Sequence, residues 1–427
     1  MSGHARRERS ATDLPAILGG RPCITLDQVE ANRWPILTGE DEQAVVRVLQ
    51  SGAISINPEV AALEDDYRSW LGVRHAVAHH NGTSAILAAL HAFALEAGDE
   101  VIVPAATWWS SVVPALHVGA VPVFAETEDR CLGLDPVDVE AKITARTRAI
   151  IVVHLFGMPS RMDELTAVAR RHNLRLLEDA SHAHGAVYRG RRIGTLADAA
   201  VFSMQGNKLV PAGEGGMFVS DDDELCERVV RFGHYERLRT RQSPDRRFAA
   251  TGFGYKFRMS PLNAAVARVQ LRHLDERNAR RNENIIDLSH ELEQLGFQTH
   301  LAPTGVQRVY FEFLIRHDET ATGVPIGALT EALRAEGADV QRPRYPLLHQ
   351  QPLFTEGVWA ALARLPIDAA EAMKRYDPAA LPRTAAASGS LLKLPSFPSA
   401  ERPLLDQYAE AFRKVMAHAA ELPHAGD

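Results

Sequence analysis

The chain has 427 residues, of which 46% are hydrophobic, and its 54 acidic and 47 basic side chains give a net charge of −7. This length suffices for one large α/β domain and a smaller one. The mild negative charge argues against nucleic acid or an anionic membrane as the main partner, and no apolar run reaches the length of a membrane span.

The amino-terminal residues 1–19 are charged at their start and lead into no secretory signal, so we expect a mobile lead. The chain has three widely spaced cysteines, Cys23, Cys131 and Cys226. Their odd number and spacing favour neither a disulfide framework nor a cysteine metal site. A reducing cytoplasm is the location that this pattern predicts.

Strands and helices are predicted to alternate along the first half of the chain. An amphipathic helix is expected over 40–50. The segments that follow are strand 75–79, helix 83–96, strand 101–103, helix 109–117, strand 121–124, helix 136–142, strand 149–154, helix 161–172 and strand 174–177. This alternation is typical of a doubly wound, mostly parallel sheet in an α/β protein.

The second half of the chain is predicted to complete the sheet and form a smaller α+β domain. Strand 200–203 is expected to be parallel to the earlier strands and strand 217–220 to return antiparallel. The arginine-rich residues 237–247 are predicted to be a loop, either solvated or placed to recognise an anionic substrate. We expect a long helix over 261–295, a strand over 309–315 and helices over 326–336 and 402–418. The predicted boundaries are 20–275 for the large domain and 276–427 for the small one.

Lys208 lies in a turn between the two predicted strands and precedes the glycine-rich residues 212–216. Lysine is costly to bury, so this position has two interpretations. A structural lysine could extend its ammonium group to solvent along its own stem. A catalytic lysine would carry a carbonyl cofactor as a Schiff base, which its amine does once its pKa is lowered.

Asp179 ends the predicted buried strand before Lys208 and stands where parallel sheets bind ligands, at the carboxyl ends of their strands. A carboxylate here could keep the nitrogen of a cofactor's pyridine ring protonated. The other interpretation is a helix N-cap after the strand.

Residues 81–84 (NGTS) connect a predicted strand with a predicted helix. Such a turn offers free backbone N–H groups and the positive end of the helix dipole to a phosphate, with the hydroxyls of Thr83 and Ser84 as further donors. An ordinary capping turn explains the same residues. Neither a Walker pattern nor a dinucleotide fingerprint is present, so nucleotide-binding alternatives find no support.

Several other clusters of polar residues predict no metal site. His182 and His184, like His79 and His80, form pairs without the third and fourth ligands that zinc needs. The acidic residues 221–224 lack the glycine and spacing of a calcium loop, so we interpret them as the N-cap of a helix.

Taken in order, these motifs resemble the DegT/DnrJ/EryC1/StrS family of sugar and cyclitol aminotransferases. The resemblance rests on residues 81–84, on 178–186 (EDASHAHGA) and on the segment from Phe202 to Lys208 with the following GEGG. Residues 104–108, 254–260, 344–347 and 394–398 agree as well, so that the likeness runs from about Gly20 to the last helix. The resemblance implies the fold of type I enzymes dependent on pyridoxal 5'-phosphate, and a homodimer with shared active sites.

The family's site residues transfer onto matching positions of this chain. Lys208 would carry the cofactor and later move a proton between the substrate carbon and the cofactor. Asp179 would pair with the pyridine nitrogen, and Trp108 would stack on the ring, with Trp109 packing elsewhere. The remaining cofactor-binding positions that the resemblance implies are Gly82, Thr83, Ser84, Ser203 and, near the cofactor's hydroxyl group, His182.

Lys256 departs from the family pattern, in which an asparagine commonly reaches the phosphate of the neighbouring subunit. Lysine could serve as a point charge for the same phosphate. Arg258 is a competing candidate, and both could instead be solvated loop charges.

The resemblance implies transfer of an amino group from L-glutamine or L-glutamate to a ketone of a cyclitol or ketosugar, as in aminoglycoside biosynthesis. Residues 179–186 and 202–205 resemble the branch that acts on scyllo-inosose-type ketones. A nucleotide-sugar aminotransferase and a lyase or decarboxylase on the same scaffold stay open as alternatives, as does a non-catalytic regulator. Lyases of the family replace the lysine with histidine, so Lys208 speaks against that alternative.

Overall fold

The computed structural model of the protein describes residues 14–240 and 242–422. Most of the expected mobile lead, residues 1–13, lies outside this range, as does Arg241 of the arginine-rich stretch. The described residues that remain of the lead contain a 3-10 helix, Ala16–Leu18, and the amide of Ala16 donates to Glu336 at 2.6 Å. In this part, the amino-terminal segment is therefore attached to the carboxyl-terminal half of the chain.

The described strands are short, and those of the first half lie close to the predicted positions. They are β1 (His75–His79), β2 (Glu100–Pro104), β3 (Val121–Ala125), β4 (Thr147–Val153), β5 (Arg175–Asp179), β6 (Val187–Tyr188), β7 (Arg191–Arg192), β8 (Ala199–Ser203), β9 (Gly216–Ser220), β10 (Val306–Gln307), β11 (Phe313–Arg316) and β12 (Leu391–Leu394).

The described α-helices begin with α1 (Gly39–Gln50), α2 (Pro58–Leu71), α3 (Gly82–Ala92), α4 (Val113–His117), α5 (Pro136–Ala141), α6 (Met162–Arg171), α7 (Asp223–Gly233) and α8 (Tyr235–Leu238). Those that follow are α9 (Pro261–Arg272), α10 (Leu274–Gln294), α11 (Glu319–Thr322), α12 (Ile326–Ala335), α13 (Pro352–Thr355), α14 (Val358–Leu362), α15 (Ala369–Lys374), α16 (Pro382–Gly389) and α17 (Arg402–Ala417). None of the helices in the described ranges is long and apolar enough to cross a membrane.

Within the described residues the central sheet has seven strands in the order β1-β9-β8-β5-β4-β2-β3. The pairs β2–β3, β2–β4, β4–β5 and β5–β8 are parallel, whereas β9 runs antiparallel to both β1 and β8. The predicted α/β class and the antiparallel return after the lysine turn are thereby confirmed. The carboxyl ends of β5 and β8 lie side by side, because Asp179 pairs with Val201.

Hydrophobic cores cover both faces of the sheet. Along β4, Ile151 and Val153 belong to one core, whereas Ile150 and Val152 belong to the other. Alternate residues of a strand point to opposite faces, so a continuous apolar run is what a strand buried on both faces requires.

A third core joins the two ends of the chain. It contains Ile24 and Ala31 from the amino-terminal segment, together with buried residues of α10, α12 and α17. Residues between Tyr345 and Leu391 instead pack in a core of the central sheet. The packing therefore crosses the predicted boundary after residue 275 in both directions, and the boundary itself stays a prediction.

Several elements differ from the predictions, for local reasons. The helix predicted over 83–96 ends at Ala92, and Ala94 adopts a left-handed φ of 58°. A 3-10 helix and the short α4 replace the helix predicted over 109–117, since Pro114 lies at the start of α4. The helix predicted over 261–295 divides at His273 into α9 and α10.

The second half of the chain shows two further differences. The strand predicted over 309–315 begins only at Phe313, because the amide of Val309 donates to Gly157 outside any ladder. The arginine-rich stretch contains the end of α8 and the 3-10 helix Pro244–Phe248 rather than an irregular loop throughout. The predicted acidic cap is confirmed, since Asp222 accepts hydrogen bonds from two amides at the start of α7.

Candidate active site

A cavity of about 480 Å³ opens at the carboxyl ends of β5 and β8. It collects residues from the turn before α3, the segment after β2, the end of β5, the turn after β8 and the segment after α12. The polar and aromatic lining residues include Asn81, Gly82, Thr83, Trp108, Trp109, Ser111, Asp179, His182, Ser203, Asn207, Lys208, Glu214, Arg344 and Tyr345. Most of the predicted site residues are thus brought together.

The side chain of Lys208 is partly buried and its amine lies 4.3 Å from the centre of the Phe311 ring. Burial lowers the pKa of Lys208 to about 8, although the carboxylates of Asp179 and Glu312 act in the opposite direction. An aromatic face stabilises the ammonium form less than water does, whereas the neutral amine loses little by leaving water. The turn therefore holds an amine that becomes nucleophilic close to neutral pH.

Asp179 is fixed in orientation at the floor of the cavity. One carboxylate oxygen accepts from the Ser111 hydroxyl at 2.6 Å, and the other accepts from the Ser181 amide at 3.1 Å. The residue is only 3% exposed. No regular helix follows β5 in the described chain, so these contacts do not make Asp179 a helix cap. A carboxylate held in this orientation by two donors is placed to face a cationic ring nitrogen.

The turn before α3 approaches the end of β8 closely. A Cβ atom on Gly82 would lie 2.9 Å from the Ser203 Cβ, and one on Gly216 would lie 2.3 Å from the Asn81 carbonyl oxygen. These two glycines allow the amino end of α3 to stand against Ser203. Backbone N–H groups and hydroxyls therefore converge at the end of an 11-residue helix, as an anion site requires.

Ser84 does not share in this convergence. Its amide donates to the Asn81 side chain at 2.8 Å and its hydroxyl donates to the Asn81 carbonyl at 2.8 Å. Both donors stabilise the start of α3, so the capping interpretation describes Ser84. Thr83 and Ser203, in contrast, both line the cavity.

His182 is buried and stacks on Phe311, with 4.1 Å between ring centres. Burial lowers the pKa of His182 far below its ordinary value, and the charges of Lys208 and Arg344 act in the same direction. The ring is therefore neutral. Its Nδ1 atom accepts from the Phe156 amide, so the proton resides on Nε2, which faces the Tyr345 hydroxyl at 3.4 Å.

Two indoles form the rim of the cavity. Trp108 and Trp109 are each 43% exposed, and Trp108 lies 5.9 Å from the Tyr345 ring at a tilt of 55°. Trp109 also lines the cavity, so the expectation that it packs elsewhere is wrong. The adjacent 3-10 helix, Trp109–Ser111, turns both side chains to the same opening.

Lys256 and Arg258 lie outside this cavity. Together with Ile54 and His80, they line a separate cavity of about 540 Å³. This second cavity shares Asn81 and Glu214 with the Lys208 cavity. The sequence could not assign them to one site or the other, because their distance from Lys208 depends on how the segment after α8 folds back. Within a single chain, neither cation borders the opening beside Lys208.

Residues from distant parts of the chain complete the surroundings of Lys208. Phe311 and Glu312 precede β11, and sequence patterns gave only a strand there. Arg344 and Tyr345 belonged to a recognised motif without an assigned role.

Trp34 also reaches the lysine turn. Its indole N–H donates to the Lys208 carbonyl at 3.0 Å, and the guanidinium of the buried Arg281 lies 4.5 Å from the centre of its ring. A hydrogen bond and a cation–π contact thus attach the amino-terminal segment to the backbone of the reactive residue. Nothing in the sequence pattern around Trp34 indicated this contact.

We expect Trp34→Phe to lower kcat about fivefold and the free energy of unfolding by about 1 kcal/mol, because one hydrogen bond to the lysine turn is lost. Steady-state kinetics and urea unfolding measure the two effects. Trp70→Phe is the matched control, since Arg192 lies over its ring at 5.0 Å but its neighbour is Tyr67. Equal effects on kcat in both variants would contradict a specific contribution of Trp34.

In the described parts of the chain, no group of three or more His, Cys, Asp or Glu side chains is arranged to hold a metal ion. The cavity itself brings together an amine, two carboxylates, a guanidinium and neutral polar groups. A partly buried lysine with a lowered pKa, in one cavity with a fixed carboxylate at the edge of a parallel sheet, is the arrangement expected of an enzyme that binds a carbonyl group covalently through its lysine.

Comparison with known proteins identifies which such enzyme this is. Residues 35–412 match the DegT/DnrJ/EryC1/StrS aminotransferase family, and the chain belongs to this family. It is accordingly a pyridoxal-phosphate-dependent aminotransferase, as the sequence motifs predicted.

The relatives include enzymes of more than one substrate class. The L-glutamine:2-deoxy-scyllo-inosose aminotransferase of Streptomyces lividus is 35% identical over 406 residues, which cover 91% of this chain and 95% of that protein. The GDP-perosamine synthase of Caulobacter vibrioides is 38% identical over 291 residues, which cover 67% of this chain and 76% of that protein. Among solved structures, DesV of S. venezuelae superposes with a TM-score of 0.74 at 33% identity, covering 88% of this chain and 94% of that chain.

Proposed function

We propose that the protein transfers an amino group from L-glutamine or L-glutamate to a ketone of a cyclitol or ketosugar, in the synthesis of an aminoglycoside or another secondary metabolite. The observation that carries this proposal is the amine of Lys208, with its lowered pKa, in one cavity with the carboxylate of Asp179. The Streptomyces lividus relative, by its name, uses glutamine and a deoxy-inosose.

The cavity fits pyridoxal 5'-phosphate as the cofactor. The amino end of α3, Thr83 and Ser203 would hold the phosphate, in the cradle that Gly82 leaves open. Asp179 would hold the pyridine nitrogen, and Trp108 would cover a face of the ring. No donor among the described residues satisfies the buried side-chain oxygen of Asn207, and a bound group with a donor would satisfy it.

When bound, pyridoxal phosphate supplies a conjugated ring that withdraws electrons from the carbon carrying the amino nitrogen. Lys208 Nζ would take the proton from the substrate carbon in one half-reaction and would deliver a proton to the acceptor carbon in the other. The carboxylate of Asp179 would favour a proton on the ring nitrogen. Neutral His182 and Tyr345 pack beside this space and exclude water from it.

Because burial lowers the pKa of Lys208 to about 8, the neutral amine should accumulate above pH 8 rather than above the ordinary 10.5. We expect the rate constant for capture of pyridoxal phosphate by the apoprotein to rise about tenfold per pH unit below pH 8 and to level off above it. Stopped-flow absorbance between pH 6.5 and about 10 measures this profile. A rise that continues unchanged to the upper limit would show a lysine with an ordinary pKa.

A homodimer with shared sites is part of this proposal. Lys256 and Arg258 line a cavity adjacent to the Lys208 cavity, and the exposed Ile54 borders the same surface. A partner subunit seated there would bring one of the two cations to the phosphate. Light scattering tests the dimer, and restored activity in a mixture of Lys208→Ala and Lys256→Ala subunits tests the shared site.

Cys23 and Cys131 are free thiols in the described parts of the chain, as is usual in a reducing compartment. We therefore include the cytoplasm as the location in the proposal. Fractionation of the producing cells tests it.

Nucleotide-sugar transamination is the second candidate, because GDP-perosamine synthase is 38% identical. The deciding experiment is to load the enzyme with cofactor, add L-glutamine and follow the loss of the visible absorbance band. The aminated enzyme is then given either scyllo-inosose or a nucleotide-linked ketosugar. Return of the band with scyllo-inosose alone supports the cyclitol, and return with the ketosugar alone overturns it. If neither glutamine nor glutamate changes the visible absorbance band, the proposal as a whole is overturned.

A further inference from the structure

A second, polar cavity of about 190 Å³ adjoins the Lys208 cavity. Its lining includes Asn32, Glu312, Asp339, Gln341 and Lys393, and Asn207 and Arg344 line both cavities. Arg344 therefore lies at the junction, where its guanidinium can face either side.

Arg344 forms an ion pair with Glu312, and the two side chains differ strongly in exposure. The distance between Nη2 and Oε1 is 2.6 Å, yet the Glu312 side chain is 4% exposed and that of Arg344 is 44% exposed. Within residues 14–240 and 242–422, no group donates a well-aligned hydrogen bond to either oxygen of Glu312. A contact of this kind is weaker than a forked pair, and an exposed guanidinium can exchange it for another carboxylate at little cost.

Glu312 keeps a cation when Arg344 leaves it. The amine of Lys393, which is 18% exposed, lies 3.7 Å from the same carboxylate oxygen. A buried carboxylate left without any partner would be strongly destabilising. Because Lys393 stays beside Glu312, movement of Arg344 into the Lys208 cavity should cost little folding stability.

Arg344 is also the one permanent cation among the described residues that line the Lys208 cavity, apart from the lysine itself. His182 is neutral there, and the other ionisable lining residues are the acids Asp179 and Glu214 and the phenol Tyr345. An amino-acid donor brings a carboxylate into this cavity, whereas a cyclitol or sugar-ring ketone brings hydroxyl groups. The same space must accept both in turn.

We infer that Arg344 alternates between two carboxylates, binding that of the amino donor in one half-reaction and Glu312 when the uncharged acceptor occupies the cavity. This inference rests on the proposed function, because it presupposes a carboxylated donor and an uncharged acceptor. Glu312 then competes with the donor for Arg344. If Glu312 instead only held Arg344 in place for the donor, it would strengthen donor binding.

The test compares donors and an unreactive analogue. L-glutaminol replaces the carboxylate of glutamine with a hydroxymethyl group, and glutaramate retains the carboxylate but lacks the amine. We expect Arg344→Gln to lower kcat/KM for L-glutamine about 10- to 100-fold, the range of a lost hydrogen bond to a charged group, and to leave L-glutaminol nearly unchanged. By calorimetry, the Kd of glutaramate should rise by a similar factor.

Glu312→Gln separates competition from positioning. Competition predicts that glutaramate binds about three- to tenfold more tightly once the rival carboxylate is removed. Weaker binding in this variant would overturn the inference, as would equal losses for glutamine and glutaminol in Arg344→Gln. Arg375→Gln is the matched control, because Arg375 pairs with the buried Glu100 at 2.8 Å outside both cavities.

The calorimetric result does not depend on turnover. If the enzyme fails to transfer nitrogen from glutamine while glutaramate still binds through Arg344, the proposed function fails and the carboxylate site stands. If transfer proceeds but Arg344→Gln leaves glutaramate binding unchanged, the exchange fails and the proposed function stands.

Discussion

Lys208→Ala is expected to abolish amino transfer, with a fall in kcat of at least about 10⁴-fold. The variant removes both the group that forms the covalent bond and the base that moves the proton at the substrate carbon. The side chain is partly buried against Phe311, so its removal should cost the fold little. Single-turnover absorbance with L-glutamine measures the loss, and circular dichroism verifies that the variant is folded.

The control for this variant is Lys142→Ala. Lys142 also makes a defined contact, with its amine donating to the Phe124 carbonyl at 2.8 Å, but it lies away from the cavity. Partial recovery of Lys208→Ala by added ethylamine would show that the missing group is an amine in that cavity. Residual activity within tenfold of the native enzyme would exclude Lys208 as the reacting residue.

Asp179→Asn is expected to lower kcat about 10³-fold, the range found for removal of one electrostatic contact to a reacting centre. The amide keeps the size of the side chain and can still contact Ser111 and Ser181. It removes the negative charge that favours a protonated ring nitrogen. The effect should therefore appear in kcat of the first half-reaction, with only a modest change in cofactor affinity.

Asp198→Asn serves as the control for charge, because Asp198 accepts from the Leu176 amide at the other end of β5 and faces no cavity residue. It should change stability slightly and leave kcat unchanged. If Asp179→Asn lost only cofactor affinity, with normal kcat at saturation, the carboxylate would be a binding group and not the partner of the ring nitrogen.

Asp179 and Lys208, which these variants replace, could be predicted without a structure because the sequence next to each residue indicates its position at the end of a strand. Asp179 ends an apolar strand and Lys208 follows another, and parallel strands bring their carboxyl ends to one edge. The antiparallel return of β9 was also readable, because a short glycine-rich turn cannot support a parallel crossover. The order of the motifs added a resemblance to the family, and the match of residues 35–412 to that family confirmed it.

Other local patterns were ambiguous, and only contacts with neighbours resolved them. The amide and hydroxyl of Ser84 could face a phosphate or cap α3, and the Asn81 side chain decides for the cap. Lys256 could reach a phosphate or face water, and its position beside a separate cavity leaves a partner subunit as the place where it would act.

The sequence by itself determined the class of fold and the family, and it predicted the edge of the sheet where the chemistry would lie and the pair Asp179 and Lys208. The tertiary structure alone decided what surrounds them: Phe311 under the lysine, Trp34 on its carbonyl and Arg344 between two cavities. Periodicity and capping act between residues that are near in sequence, so they can be read from the chain. The burial that lowers the pKa of Lys208 comes from segments far away in sequence, and only packing brings them together.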